Sequence, residues 1–259
     1  MDLPRCGLLF LALGLLVAPL ASQSTSARFE VASVKRQAQL VLTQAPPPMT
    51  SETFYRRGDT VSQLLRFAFG VSDPQLIGGP AWIRTMRFEI NAKSPAKASV
   101  AQMQEMVRSL LEDRFTLIAR KERRDMPYAG IVVARSDGRL DPALQTCDVD
   151  TLSDGAQFFK VPRGGRVQYE RCGPLSTLAS FVTSVLGKIA IDRTDLNGAW
   201  AWHVGYLAPE FAQRLPAGVM PEAVDLPTAL QEQLGLKLTA MQGPIDMLII
   251  DSIQQPAEN

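Results

Sequence analysis

Apolar and polar residues alternate strictly in several short stretches of the chain, at residues 28–35, 87–93 and 167–171. This alternation predicts β-strands, because successive side chains of a strand point to opposite faces. Shorter apolar runs predict further strands at 53–57, 75–77, 115–120, 128–134, 189–191, 202–207, 236–238 and 247–250. Residues 122–127 are predicted to form the turn of a hairpin between two of these strands.

Other segments repeat their apolar residues at helical spacing. Thr60 precedes such a segment and is a suitable N-cap for a helix over residues 61–69. A longer helix is predicted from Ser99 to about residue 113. Residues 175–181 and 226–234 show the same helical pattern.

The order of predicted elements occurs twice along the chain. Each time a strand is followed by a helix, two strands, a helix and two strands, and residues 175–181 resemble residues 61–67. We therefore predict an α+β fold of two repeated small units, each with helices packed on a mostly antiparallel sheet. Two unrelated α+β halves would share the same apolar periods, so coincidence is the alternative. The predicted boundaries are a signal peptide at 1–24, a strand and loop at 25–51, units at 52–135 and 166–253, an irregular connection at 136–165, and a tail at 254–259.

The N-terminal segment has the order of an export signal. Arg5 provides a positive charge, residues 8–17 are apolar, and residues 18–24 offer small residues for cleavage. The apolar run is shorter than the ~20 residues of a membrane span. Cys6 precedes the apolar run, whereas a lipidated cysteine would follow it. We predict an exported protein, periplasmic or extracellular, with an uncleaved N-terminal anchor as the alternative.

The balance of charge argues against nucleic-acid binding, and the hydropathy argues against a membrane span in the mature chain. The 27 basic residues nearly balance the 26 acidic ones, so the electrostatic signature of a nucleic-acid-binding protein is missing. The basic run at 121–124 is predicted to be a solvated turn. No second long apolar stretch follows the signal, so no membrane span is expected after signal cleavage.

Two cysteines, Cys147 and Cys172, remain once the signal peptide is removed. In an oxidising compartment they are predicted to form a disulfide, and two buried free thiols are the alternative. A bridge over a loop of this length contributes about 3 kcal/mol in the chain-entropy model.

Candidate catalytic residues are few. His203 is the only histidine, and no Gly-x-Ser-x-Gly motif supplies a serine nucleophile for it. Asp192 and Asp195 form a carboxylate pair that could in principle perform acid–base hydrolysis, although a turn after the strand at 189–191 explains them better. Zinc, calcium and phosphate-loop signatures are missing, so we predict no metal and no cofactor.

Four aromatic residues are candidates for a binding surface: Trp82, Trp200, Trp202 and Tyr206. Aromatic rings of this kind line many ligand sites, and packing in the core is the alternative.

Several segments together resemble a known family. They are the opening Phe29-Glu30-Val31-Ala32-Ser33-Val34-Lys35, the motif Gly79-Pro80-Ala81-Trp82, the segment Leu110-Leu111-Glu112-Asp113-Arg114-Phe115, the turn Asp192-Arg193-Thr194-Asp195-Leu196-Asn197-Gly198, and the closing segment from Thr228 to Leu238. The set resembles the soil-associated family of uncharacterised exported bacterial proteins typical of Acidobacteria. The resemblance implies an exported protein with no assigned activity and no catalytic residues to transfer. Some relatives carry this domain beside membrane-bound sensor peptidases, which suggests sensing in the envelope.

We therefore predict a non-catalytic binding or interaction module whose partner is another envelope protein or a small ligand. One alternative is an envelope hydrolase that uses carboxylates or a serine. Another is a sensor subunit of an envelope signalling system.

Overall fold

The computed structural model describes residues 27–37, 50–135, 142–147, 166–208 and 224–256. These residues form five α-helices and ten strands in three sheets, so the α+β prediction is confirmed. The helices are α1 (Val61–Phe69), α2 (Trp82–Thr85), α3 (Val100–Phe115), α4 (Leu175–Leu186) and α5 (Leu226–Leu234). The strands are β1 (Val31–Gln37), β2 (Thr53–Thr60), β3 (Leu76–Gly78), β4 (Arg87–Lys93), β5 (Ile118–Val133), β6 (Gln145–Thr146), β7 (Arg166–Gly173), β8 (Ala190–Asp192), β9 (Trp200–Leu207) and β10 (Leu236–Ser252).

The first half, residues 27–135, is built on a three-stranded antiparallel sheet in the order β1-β4-β2. Helix α1 begins as predicted, with a capping box in which Thr60 and Gln63 exchange side-chain and backbone hydrogen bonds. Ser99 caps α3 in the same way. Alternate residues of β4 join the buried faces of both helices in the first core, which includes Phe88 and Ile90.

The second half, residues 142–256, has a matching three-stranded sheet in the order β6-β9-β7, covered by α4 and α5. Strand β6 pairs with the first two residues of β9 and does not reach Gly205. The side-chain amide of Gln233 on α5 takes the place of a strand there. It accepts from the Gly205 N–H at 2.9 Å and donates to the Gly205 carbonyl at 2.8 Å. The sheet edge is thereby satisfied by one side chain.

Two long strands join the halves. Strands β5 and β10 pair antiparallel along almost their whole length and form the centre of a four-stranded sheet in the order β3-β10-β5-β8. The predicted hairpin with a turn at 122–127 is wrong, because this segment lies inside β5. The separate strands predicted at 236–238 and 247–250 are likewise parts of β10.

Charged side chains explain why the middle of β5 has the composition of a turn. Arg123 reaches Asp246 on β10 at 3.2 Å, and Glu122 accepts from Arg120 and Arg124 at 2.8 and 2.6 Å. The polar run is therefore a strand segment with solvated side chains and ion-pair partners on both faces. The prediction that residues 121–124 are solvated is consistent with this, but they are not a turn.

Each half also places a short strand beside the long strand of the other half. Strand β3 of the first half pairs in parallel with β10, Leu76 opposite Leu248, and β8 of the second half pairs in parallel with β5, Ala190 opposite Ala129. Both halves contain a strand, a helix, a short strand, a strand, a helix and a long strand in this order, but α2 of the first half has no counterpart among the described residues of the second. The proposal that they are repeated units, and the predicted domain boundaries, stay predictions.

Some predicted segments lie outside the described residues. They are the signal peptide at 1–24, most of the loop before residue 50 and most of the connection at 136–165. Among the residues that are described, no helix combines the length and the apolar character needed to cross a membrane.

Candidate functional site

The predicted disulfide is confirmed: Cys147 and Cys172 are bonded, with their Cα atoms 6.2 Å apart. Cys147 directly follows β6 and Cys172 lies on β7, and these strands flank β9 on opposite sides. The bond therefore links the two outer strands of one sheet near the residue at which β9 begins. Its place in the fold indicates a structural role.

The four predicted aromatic residues do not form one surface. Trp82 lies against Phe88 in the first core, whereas Trp200, Trp202 and Tyr206 are on β9 in the second half. Trp202 and Tyr206 are only 1% and 5% exposed, so neither can contact a partner.

Trp202 packs on Tyr169 and Phe181, with ring centroids 5.2 and 5.7 Å away. Tyr206 contacts Phe181 of α4 as well, edge to face at 5.8 Å. We correct the prediction accordingly: these two rings of β9 fill the core, because they point from the strand towards α4.

The candidate catalytic residues do not form one catalytic arrangement. His203 is exposed on the outer face of β9, opposite Glu170 of β7. Asp192 accepts hydrogen bonds from the backbone N–H and the hydroxyl of Thr194 at 3.0 and 2.7 Å, which closes the turn after β8. Within the described part of the chain, no hydrogen bond or ion pair connects His203 with either Asp192 or Asp195.

A cleft of about 660 Å³ lies between the two halves. The first half contributes the start of α1, a 3₁₀ turn at Asp73–Gln75, α2 and the first residue of β4. The second half contributes Thr183, Ser184 and Gly187, at the C-terminal end of α4. Its volume lies in the ~300–1,000 Å³ range of small-molecule sites.

Three arginines give the cleft its charge: Arg66 on α1, Arg84 on α2 and Arg87 on β4. Asp73 is the one carboxylate among the described lining residues. Arg87 donates to the Gly58 carbonyl at 2.6 Å, and Arg84 donates to the Leu76 carbonyl at 3.3 Å. These bonds hold two guanidinium groups in place while leaving further N–H donors on each.

Arg66 is different from the other two arginines. It is half-buried, and within the described residues its guanidinium has no hydrogen-bond or ion-pair partner. It lies one turn after the capping residue Gln63, on the side of α1 that lines the cleft. This group therefore has its whole donor set free for a ligand.

The hydroxyl groups of the lining are already engaged. The Thr60 and Ser62 hydroxyls bond each other at 2.9 Å, and the Thr183 hydroxyl donates to Ala179 and accepts from the Ala190 N–H, both at 2.9 Å. They shape the walls and keep them polar. The charge-assisted donors for a ligand are the guanidinium groups, which suit carboxylate and phosphate oxygens.

The described residues contain no group of three or more His, Cys, Asp or Glu side chains that is arranged to hold a metal ion. The prediction of no metal rested on sequence spacing and remains a prediction.

Comparison with known proteins gives one family. The sequence profile of the family described as "Protein of unknown function (DUF3738)" matches residues 62–253. The chain belongs to this family. The match extends from α1 to the end of β10, so the family domain includes both halves and nearly all of the cleft lining. No curated protein matches the chain, and no solved structure does so.

The cleft was not predicted from the sequence. Its three arginines are on three elements, and its far wall comes from α4, much further along the chain. The capping signal at Thr60 indicated where α1 starts, but it gave no sign of what faces this helix end.

Proposed function

We propose that the chain is an exported envelope protein whose two halves together bind an anionic ligand without catalysis. The order of charge, apolar run and small residues in segment 1–24 supports export. The disulfide between Cys147 and Cys172 supports an oxidising compartment. The association with soil bacteria remains part of this proposal, since it rests on the resemblance alone.

The observation that carries the binding proposal is the placement of Arg66, Arg84 and Arg87 around one cleft with a single carboxylate among the described lining residues. Three like charges facing one space repel each other, and an anion bound between them replaces repulsion by attraction. Two of the groups are fixed by backbone carbonyls, which lowers the ordering cost of binding.

The test is calorimetric titration of the full chain, produced with its own N-terminal segment, against inorganic phosphate and citrate. We expect saturable binding that weakens as salt rises, because the site is open to solvent. Arg66→Gln should weaken binding about tenfold or more, since it removes a charge-assisted hydrogen bond worth ~1.5–3 kcal/mol.

Lys237→Gln is the matched control, because it removes one positive charge at an exposed site outside the cleft. This variant should bind as the wild-type chain does. Absence of saturable binding at millimolar anion, or an equal loss in both variants, would overturn the proposal.

The other two interpretations have less support. A hydrolase would need His203 or the Asp192–Asp195 pair in a catalytic arrangement, and the contacts of Asp192 are those of a turn. A sensor subunit would copurify with a membrane partner only when its ligand is present, and this copurification remains its test.

A further inference from the structure

The two walls of the cleft differ in charge. The wall of the first half carries the guanidinium groups of Arg66, Arg84 and Arg87. The opposite wall is the C-terminal end of α4, which includes Thr183 and Ser184. A helix C-terminus presents carbonyl oxygens and the negative end of the helix dipole. This helix has no basic side chain in its last turn, and Lys188, which follows its C-cap Gly187, is not part of the cleft lining.

Asp73 adds an acceptor to the space between the walls. It is the first residue of the 3₁₀ turn, and its side chain is exposed. This carboxylate and the α4 terminus offset part of the attraction that the three arginines exert on a simple anion. A ligand that carries an anionic group at one end and hydrogen-bond donors at the other would satisfy both walls.

The lining also restricts the character of the ligand. Among the described lining residues Pro74 is the one apolar side chain, and no aromatic ring is present. A peptide or an aromatic acid would therefore find only one apolar side chain, and no aromatic ring, against which to pack. A ligand that is polar along its length, with hydroxyl donors, matches the walls.

We infer that the ligand is an acidic saccharide, a short sugar chain that bears a carboxylate or a phosphate. Its anionic group is held by Arg66 and Arg84, and its hydroxyls donate to Asp73 and to the end of α4. This inference rests on the proposed anion-binding function and specifies its ligand.

The test compares matched probes by calorimetry on the full chain. Digalacturonate is an acidic disaccharide, glutarate is a dicarboxylate without hydroxyls, and lactose is a neutral disaccharide. Trehalose 6-phosphate is an acidic disaccharide that carries a phosphate where digalacturonate carries carboxylates. We expect at least one acidic disaccharide to bind tenfold or more tightly than glutarate, and lactose to show no saturable binding. The ranking of the two acidic disaccharides identifies the preferred anionic group.

Asp73→Asn separates the inference from the general proposal. It removes a negative charge, so glutarate should bind more tightly. The acidic disaccharide should bind several-fold less tightly, because its hydroxyls then face a neutral amide, whose single oxygen is a weaker acceptor than the carboxylate and whose NH₂ group is a donor. Arg66→Gln should weaken the binding of both glutarate and the acidic disaccharide. Asp73 is exposed, so we expect the Asp73→Asn variant to fold. The ranking of the probes on the wild-type chain tests the inference independently of this variant.

The failures are distinguishable. If glutarate and phosphate bind but the acidic disaccharides bind no more tightly, or if Asp73→Asn strengthens all anions alike, the saccharide inference is overturned and the anion site stands. If no anion binds, both proposals are overturned.

Discussion

The connection between the halves depends on a close backbone approach at Gly78, in β3. Gly78 pairs with Ile250 of β10 and has φ of +82°. A Cβ at this position would lie 2.8 Å from the Ile250 carbonyl oxygen, which is a backbone atom and cannot rotate away. Gly78→Ala is therefore expected to strain the parallel pairing that inserts β3 beside β10.

The expected loss of unfolding free energy in Gly78→Ala has two parts. A left-handed backbone costs an L-residue roughly 1–2 kcal/mol. Forcing an extra carbon into a packed contact costs typically 1–3 kcal/mol. We expect Gly78→Ala to lower the free energy of unfolding by about 2–5 kcal/mol in total.

Gly198 provides a matched control, because its φ is +91° and, apart from its two chain neighbours, a Cβ added there would have no atom within 4 Å among its described surroundings. Gly198→Ala should show the backbone part alone, about 1–2 kcal/mol. Urea unfolding of the wild type and both variants measures the difference. Equal losses in the two variants would refute the view that the β3–β10 approach is tightly constrained.

Three further predictions concern the stability and the charges of the fold. Replacing Cys147 and Cys172 together by serine should lower the free energy of unfolding by about 3 kcal/mol in urea, because the open loop gains entropy when the chain unfolds. Gln233→Leu should cost about 2–4 kcal/mol in the same assay, since a backbone N–H and a carbonyl of β9 lose their partners. A hydrogen bond from Arg124 is the largest cause that holds the pKa of Glu122 below its usual value, so Arg124→Gln should raise that pKa in an NMR pH titration. Because the pKa of this carboxyl is lower in the folded chain, its contribution to stability is present above the unfolded pKa and is lost as pH falls through the folded pKa.

Each of these has a control. Dithiothreitol should destabilise the wild-type chain but not the double serine variant. Gln231 lies exposed on the same helix as Gln233, so Gln231→Leu should leave stability within about 0.5 kcal/mol. Arg123 pairs with Asp246, so Arg123→Gln should leave the Glu122 titration unchanged. A control that changes as much as its test variant would contradict the corresponding assignment.

Local signals in the sequence predicted four of the five described helices, and the one-turn helix α2 was missed. Thr60 caps α1 as expected, because a cap depends on residues within one turn of each other, and α3 begins directly after Ser99, where the start of a helix was predicted. The predicted α+β class follows from the same local periods. Strands β5 and β10 were each divided in two, because their partners are distant in the chain and a polar run resembles a turn until its cross-strand partner is known.

The candidate site could not be predicted from local sequence patterns, for a related reason. Alternation showed that neighbours such as Trp202 and His203 point to opposite faces, but it did not show which face α4 covers. The cleft arises only when the halves come together, so its charge cannot be recognised from residues that are far apart in sequence.

The most direct test of anion binding between the halves is an NMR titration that observes the arginine side-chain Nε–H signals of the full chain as phosphate is added. Variants Arg66→Gln, Arg84→Gln and Arg87→Gln assign the three signals. We predict that these signals shift together and saturate, while the exposed Arg123 signal does not follow them. Shifts that are uniform over all arginines, or that are largest outside the cleft, would contradict the proposal that the two halves form an anion-binding site.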